Sequence, residues 1–423
     1  MPSFARQTDE PCTSCHIGSF GPELTARGRS FKLLGYSEQK DGGSPWWERF
    51  SGMVLGSFTA TGKKQEGGAA PRYGSNNNFA LDQASGFVAG RITESVGAFI
   101  QLTESGIDRR FVVDNVDIRF GKAFNIGGVD TILGLSGNNN PTVSDPYNSL
   151  AAWGHPYVSS ALTPSPVGSP MLNGGLTGQV YGVSAYTLVG GLLYAEAGFY
   201  DTISHDVRKA FGTGYDVALA HPATYWRLAL QQESNKTLYQ VGTFGLAVAQ
   251  RPTGFEATDR FLDYGVDASF QWLGDRTHIV TAYGRAMREE QVLNGSFAGG
   301  ASDNPKNHLT QIRGNLSYWY QQTYGLTVGG FANRGSLDAL AYGSGDAITG
   351  SATGQPNTNG WLAEVAWTPF GKRDSWGGSF ANLKLGLQYV GYNRFNGGGR
   401  NYDGYGRNAA DNNTLYAFLW LAF

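Results

Sequence analysis

Residues 48–423 predict an all-β fold: an antiparallel outer-membrane-type β-barrel of about 16 strands, preceded by a plug segment over residues 1–47. Three observations lead there. Apolar and polar side chains alternate in steps of two from Trp47 to the last residue. The connections between these stretches are long and short in turn. The chain then closes on an alternating apolar stretch that ends in Phe423.

Composition agrees. The 423 residues include 61 Gly, 22 Tyr, 24 Phe and 10 Trp, a profile that suits many short strands. A net charge of −2 gives no basic footprint, which excludes nucleic acid as a partner. No apolar run reaches the roughly 18 residues a membrane-crossing helix needs. No charged-then-apolar leader precedes Pro2, so residue 1 onward is expected to be a mature chain whose leader was removed or replaced by Met1. No Pro/Ser linker or charge run separates halves.

Strands are expected at 49–61, 79–92, 95–104, 111–120, 128–138, 176–188, 191–201 and 223–232. The second half continues at 237–250, 261–272, 275–289, 307–320, 323–334, 359–368, 383–394 and 413–423. In 262–272, Leu262, Tyr264, Val266, Phe270 and Trp272 oppose Asp263, Asp267, Ser269 and Gln271. In 309–320, Ile312, Leu316, Tyr318 and Tyr320 oppose Gln311, Arg313, Asn315 and Ser317. Either a soluble sandwich or a lipid-facing barrel with a polar lumen could use such strands. Loop sorting decides: connections at 62–78, 139–175, 202–222, 290–306, 335–358 and 395–412 are long, whereas 93–94, 189–190, 233–236, 273–274 and 321–322 are tight, with 369–382 a rather long turn on the short side. A barrel with short turns at one mouth and long loops at the other produces that parity, and lipid demands a closed sheet. An even strand count brings both barrel ends to the short-turn mouth, the periplasmic one by the usual topology.

The first 47 residues carry different chemistry. Cys12-Thr13-Ser14-Cys15-His16 is the Cys-x-x-Cys-His attachment signature of c-type haem. The two thiols form thioethers to the porphyrin, and His16 becomes the proximal iron ligand. These are the chain's only cysteines. A zinc site would need two further soft ligands, and none is near. Pro22–Leu34 is expected to be a short helix, with Leu24, Phe31 and Leu34 available to pack on the haem face. The distal iron ligand must come from Met53, Met171, Met287, His155, His205, His221, His278 or His308. Period two points Met53 into the lumen near the haem segment, which makes it the leading candidate. His155, in the long loop around Trp153-Gly154-His155-Pro156, is the weaker alternative. Inward Asp117, Arg119, Arg227, Asp267, Arg285, Arg313, Glu364 and Lys384 could anchor the plug, and inward aromatics of the last strand could pack on the haem.

Pro2-Ser3-Phe4-Ala5-Arg6-Gln7-Thr8 leading into the Cys12–His16 motif, then Arg29-Ser30-Phe31-Lys32 and a closing barrel strand to Phe423, resembles the fused monohaem cytochrome–porins, the outer-membrane iron oxidases. The resemblance implies one covalent haem c, electron transfer from extracellular Fe(II), and a periplasmic cytochrome as acceptor. Asp9-Glu10, just before Cys12, departs from the neutral stretch usual there and bears on the haem potential. A solute porin with a haem plug or sensor, and a conduit exporting electrons to an external acceptor, are the alternative functions. No catalytic triad or carboxylate pair stands out, as outer-sphere electron transfer requires none. Solvated loop carboxylates such as Asp201, Asp206, Asp303, Asp338 and Asp346 show no iron-ligand spacing.

Overall fold

A computed structural model describes residues 1–210, 212, 218–252, 256–343 and 345–423. Among them, sixteen antiparallel strands form one closed barrel in which every strand pairs with its sequence neighbours. The first eight are β1 (Phe50–Thr61), β2 (Asn78–Arg91), β3 (Val96–Ser105), β4 (Arg110–Ile126), β5 (Val129–Asn138), β6 (Val180–Val189), β7 (Leu193–Thr202) and β8 (Ala223–Glu233). The rest are β9 (Thr237–Gln250), β10 (Asp259–Trp272), β11 (His278–Leu293), β12 (Lys306–Tyr320), β13 (Tyr324–Gly335), β14 (Thr358–Trp367), β15 (Asn382–Arg394) and β16 (Thr414–Ala422). The β1–β16 seam is sealed past the last ladder residue, where the Phe423 N–H donates to Gly52 O at 2.9 Å and the Gly52 N–H to Phe423 O at 2.6 Å. A Cβ on Gly52 would meet the Phe423 ring at 2.6 Å, so the closing aromatic needs a bare backbone opposite it.

Alternation sorts side chains as the sequence implies. Asp263, Asp267, Ser269 and Gln271 of β10 are buried, while Leu262, Tyr264, Val266 and Trp272 are exposed on the outer wall. Leu228, Val241, Ile312, Leu316, Val328, Val365, Leu387 and Leu419 continue that outer face. Near the tight-turn mouth, exposed Trp272, Tyr318, Tyr320, Tyr324 and Trp367 form an aromatic rim. An apolar wall edged by aromatics suits hydrocarbon between two watery interfaces. No helix is long and apolar enough to cross a membrane among the described residues.

Loop parity holds with two departures. The β3–β4 connection is short although it lies at the long-loop mouth, and the segment between β14 and β15 is long although it lies at the tight-turn mouth. The second has a structural reason. It wraps the N-terminal segment, with Thr13 N donating to Gly371 O (3.2 Å), Thr368 Oγ1 to Gly18 O (2.9 Å) and Asn382 Nδ2 to Ser19 O (2.7 Å).

Before β1 the chain packs within the barrel as three short helices, α1 (Pro2–Thr8), α2 (Cys12–Cys15) and α3 (Ala26–Leu33). The helix expected over Pro22–Leu34 is therefore shorter. Leu24 pairs with His16 in an isolated β-bridge, and Thr25 caps α3 by accepting from Gly28 N at 3.3 Å. The anchors are polar. Tyr36 and Arg119 both donate to Asp117 Oδ2, at 2.7 and 2.9 Å, Tyr186 donates to Leu33 O at 2.8 Å, and Arg29 pairs with Glu233 while donating to Gln271 Oε1 at 3.0 Å.

The connection between β5 and β6 also folds inward and roofs this segment. It carries buried Val143, Tyr147, Leu150, Val158, Leu162, Leu172 and Leu176. Asp145 meets Arg227 at 3.1 Å, and Arg227 grips Asp267 through Nη1 (3.1 Å) and Nη2 (2.8 Å). Ser149 Oγ donates to Asp267 at 2.7 Å, while Lys32 Nζ joins the roof to α3 through Asp145 O at 2.6 Å. Inward charges thus hold the filling of the lumen to its wall.

Candidate functional site

The α2 helix is a single turn, and its i, i+3 spacing puts Cys12 and Cys15 on one face. Both are free thiols. His16 leaves the helix in an extended conformation (φ −115°, ψ 138°), with its N–H on Cys12 O at 2.9 Å. Leu24 and Thr25 return the chain beside it, and Thr25 N donates to Cys15 O at 3.0 Å. The α3 helix crosses so closely that a Cβ on Gly28 would lie 2.3 Å from Cys15 O.

The motif opens onto a cavity of about 400 Å³. Cys12, Cys15, His16, Leu24, Phe31 and Met53 all line it. Of the eight distal-ligand candidates, Met53 alone shares this space. Met171 and Met287 pack in an apolar cluster with Leu172 and Phe244, His278 stacks on Tyr318, and His308 hydrogen-bonds Ser336. His155 lines a neighbouring cavity instead, 3.9 Å from Glu364. The two spaces touch at Asn148, Gly154 and Tyr157.

Burial shapes the donors. Desolvation, aided by the N-terminal ammonium, pushes the His16 imidazole down to about 3, and its Nδ1 is buried with no hydrogen-bond partner. The ring is therefore neutral at ordinary pH, the form that ligates a metal. His155 is held near 4 by burial despite the nearby Glu364 carboxylate. Burial, then Glu10, raises the Cys15 thiol to about 11. The acidic pair before the motif has cationic partners: Arg27 donates to Glu10 at 2.8 and 3.0 Å, and Arg373 lies 3.8 Å from the Asp9 carboxylate.

Sequence reasoning missed much of the aromatic wall. Phe4 packs edge-on against Phe31 (5.0 Å between centroids) and stacks on Tyr36 at 5.5 Å. Phe20 meets Trp420 at 4.9 Å, and Trp153 comes down from the roof. The period-two pattern of β16 had marked Trp420 as inward. Phe4 and Tyr36 belong to short helical and turn segments where no periodicity could single them out.

No known family profile matches the chain, and no curated protein does. Among solved structures it is similar to an anion-selective porin from Comamonas acidovorans (TM-score 0.49, 10% identity, 88% of this chain and 98% of that chain covered). It is also similar to the outer membrane channel DcaP of Acinetobacter baumannii (0.48, 11%, 88% and 96%). A third is the trimer form of OmpT, an outer membrane protein of Vibrio cholerae (0.47, 10%, 88% and 98%). At such identities no residue-level correspondence carries over.

Chemically, the site offers two thiols on one helix face, a neutral imidazole, a thioether and a wall of aromatic and aliphatic side chains. That donor set fits a metallo-macrocycle: Cys12 and Cys15 would attach it, and His16 and Met53 would hold its metal.

Proposed function

We propose that this chain is an outer-membrane electron-transfer barrel bearing one covalent haem c. The observation that carries the reading is the single cavity shared by Cys12, Cys15, His16 and Met53. When bound, the group supplies one-electron redox chemistry that protein side chains lack. The residues then divide the work. Cys12 and Cys15 fasten it, His16 and Met53 hold the metal, and Leu24, Phe31, Phe4 and Trp420 exclude water. A thioether as second donor raises the potential relative to a second imidazole, which suits acceptance of electrons from a mild reductant.

The apolar outer wall supports a bacterial outer-membrane location, with both termini at the periplasmic mouth. Extracellular Fe(II) as donor and a periplasmic cytochrome as acceptor follow from the resemblance carried by Pro2–Thr8, Cys12–His16 and Arg29–Lys32. The half-buried α2 lies beside Gly371 and Arg276 at the tight-turn mouth, and Arg276 donates to Thr13 O at 3.2 Å. Electrons would leave there. Stopped-flow mixing of the oxidised, purified protein with ferrous iron tests the donor. The haem band reduces within milliseconds to seconds on this reading; no reduction rejects Fe(II) as donor. A large steady open-channel current from the haem-loaded protein in planar bilayers would instead support the solute porin.

A further inference from the structure

The second cavity, about 410 Å³, lies between mid-barrel and the long-loop mouth and contains none of Cys12, Cys15, His16 and Met53. Two arginines stand in its wall. Arg285 on β11 and Arg313 on β12 are directly opposite partners in the antiparallel ladder, and both line this space. Cross-strand partners hold their Cβ atoms about 5 Å apart, and like charges placed so oppose pairing.

Asp267 and Asp145 act on Arg285 only from a distance. Among the described residues no carboxylate forms an ion pair with either arginine. Arg285 has an acidic ladder partner on its other side, Asp267, but both oxygens of that carboxylate are held by Arg227. Arg285 Nη2 donates only to neutral oxygens, Asn173 Oδ1 (2.9 Å) and Gln311 Oε1 (2.8 Å), while its Nη1 is buried without a partner. Arg313 makes no hydrogen bond to the described protein and is exposed to the cavity. Glu23 and His155 also line the space. The Glu23 carboxyl accepts from Tyr157 at 3.3 Å, and His155 faces Glu364.

We propose that Arg285 and Arg313 form a binding site for a small tetrahedral oxyanion of the sulfate or phosphate class, reached from the long-loop mouth. Two guanidinium forks present parallel N–H donors that match oxyanion edges and cannot lose their charge. The anion removes the repulsion between the ladder partners and satisfies the idle Arg285 nitrogen. Asn173 of the roof, bonded to the same guanidinium, couples occupancy to how firmly the roof is seated.

Isothermal titration of the full-length protein in detergent with sodium sulfate, and separately with inorganic phosphate, against a constant chloride background tests this. Saturable binding of either oxyanion is expected, at least tenfold weaker in R313Q and restored toward wild type in R313K. Among the described residues Arg313 makes no hydrogen bond or ion pair, so R313Q should keep the barrel intact, which heat-modifiable gel mobility verifies. Absence of saturable binding overturns the site, as does equal binding by R313Q, or binding abolished by chloride alone. The readout involves no haem, so its failure leaves the electron-transfer reading standing, and the reverse also holds.

Discussion

Met53 illustrates how much one side chain can decide. It sits in β1 between Ala422 of the last strand and Ser85 of β2, with only 7% of its surface exposed, and its thioether lines the same cavity as His16. On the proposed haem-bearing reading, Met53→Ala should leave the group bonded to Cys12 and Cys15 while converting a low-spin absorption spectrum to high-spin. Truncation beside an existing cavity should cost about 2 kcal/mol of barrel stability. An unchanged low-spin spectrum would reject Met53 as a holder of the metal, with His155 the next to change. The inward orientation of Met53 was legible from alternation with Val54. Its proximity to His16 was not, because that depends on where a non-periodic segment turns back across the wall.

Among the elements, the inward roof between β5 and β6 depends on a few buried charges. Arg227 and Asp267 are fully buried together, with Asp145 of the roof against the same guanidinium. Removing one partner of such a pair strands the others, at about 3–5 kcal/mol. Arg227→Ala should therefore release the roof while the strands stay paired. Limited proteolysis would detect it as new cleavage between 139 and 179 in a barrel that retains its β-sheet circular dichroism; resistance equal to wild type would refute the anchoring role. The strands themselves were readable to within a few residues, because a half-buried strand must alternate. The roof was readable only as a long connection: its hold on the wall comes from single residues such as Asp145 and Ser149, whose wall partners Arg227 and Asp267 lie far along the chain and leave no local signature. The α1 helix escaped for a similar reason. Its seven residues are mostly buried, so no amphipathic stripe marks it.

The whole molecule is governed by the contrast between its two faces. Ile312 stands on the outer wall of β12, one residue from the inward Arg313. Ile312→Arg should lower stability in lipid bilayers by about 2–4 kcal/mol, as expected for a cation on the lipid face near mid-depth. Equilibrium unfolding from vesicles measures it, and a shift below 1 kcal/mol would place this face outside the hydrocarbon. The barrel class was contained in the parity of the connections. What fills the lumen could not be counted in that way, since plug, roof and wall meet through contacts that obey no period.

The seam at which Phe423 pairs with Gly52 also imposes an order of assembly. It joins the first strand to the last, the two most distant in the chain, so it carries the largest loop-closure cost of any strand pairing. Until it shuts, the sheet is an open trough and the segment bearing Cys12–His16 can be laid in from the side. Afterwards the roof covers one end of that segment and the β14–β15 wrap crosses the other. On the proposed reading, a group fastened to those thiols would lie between the roof and the β14–β15 wrap, inside a sheet already closed on itself.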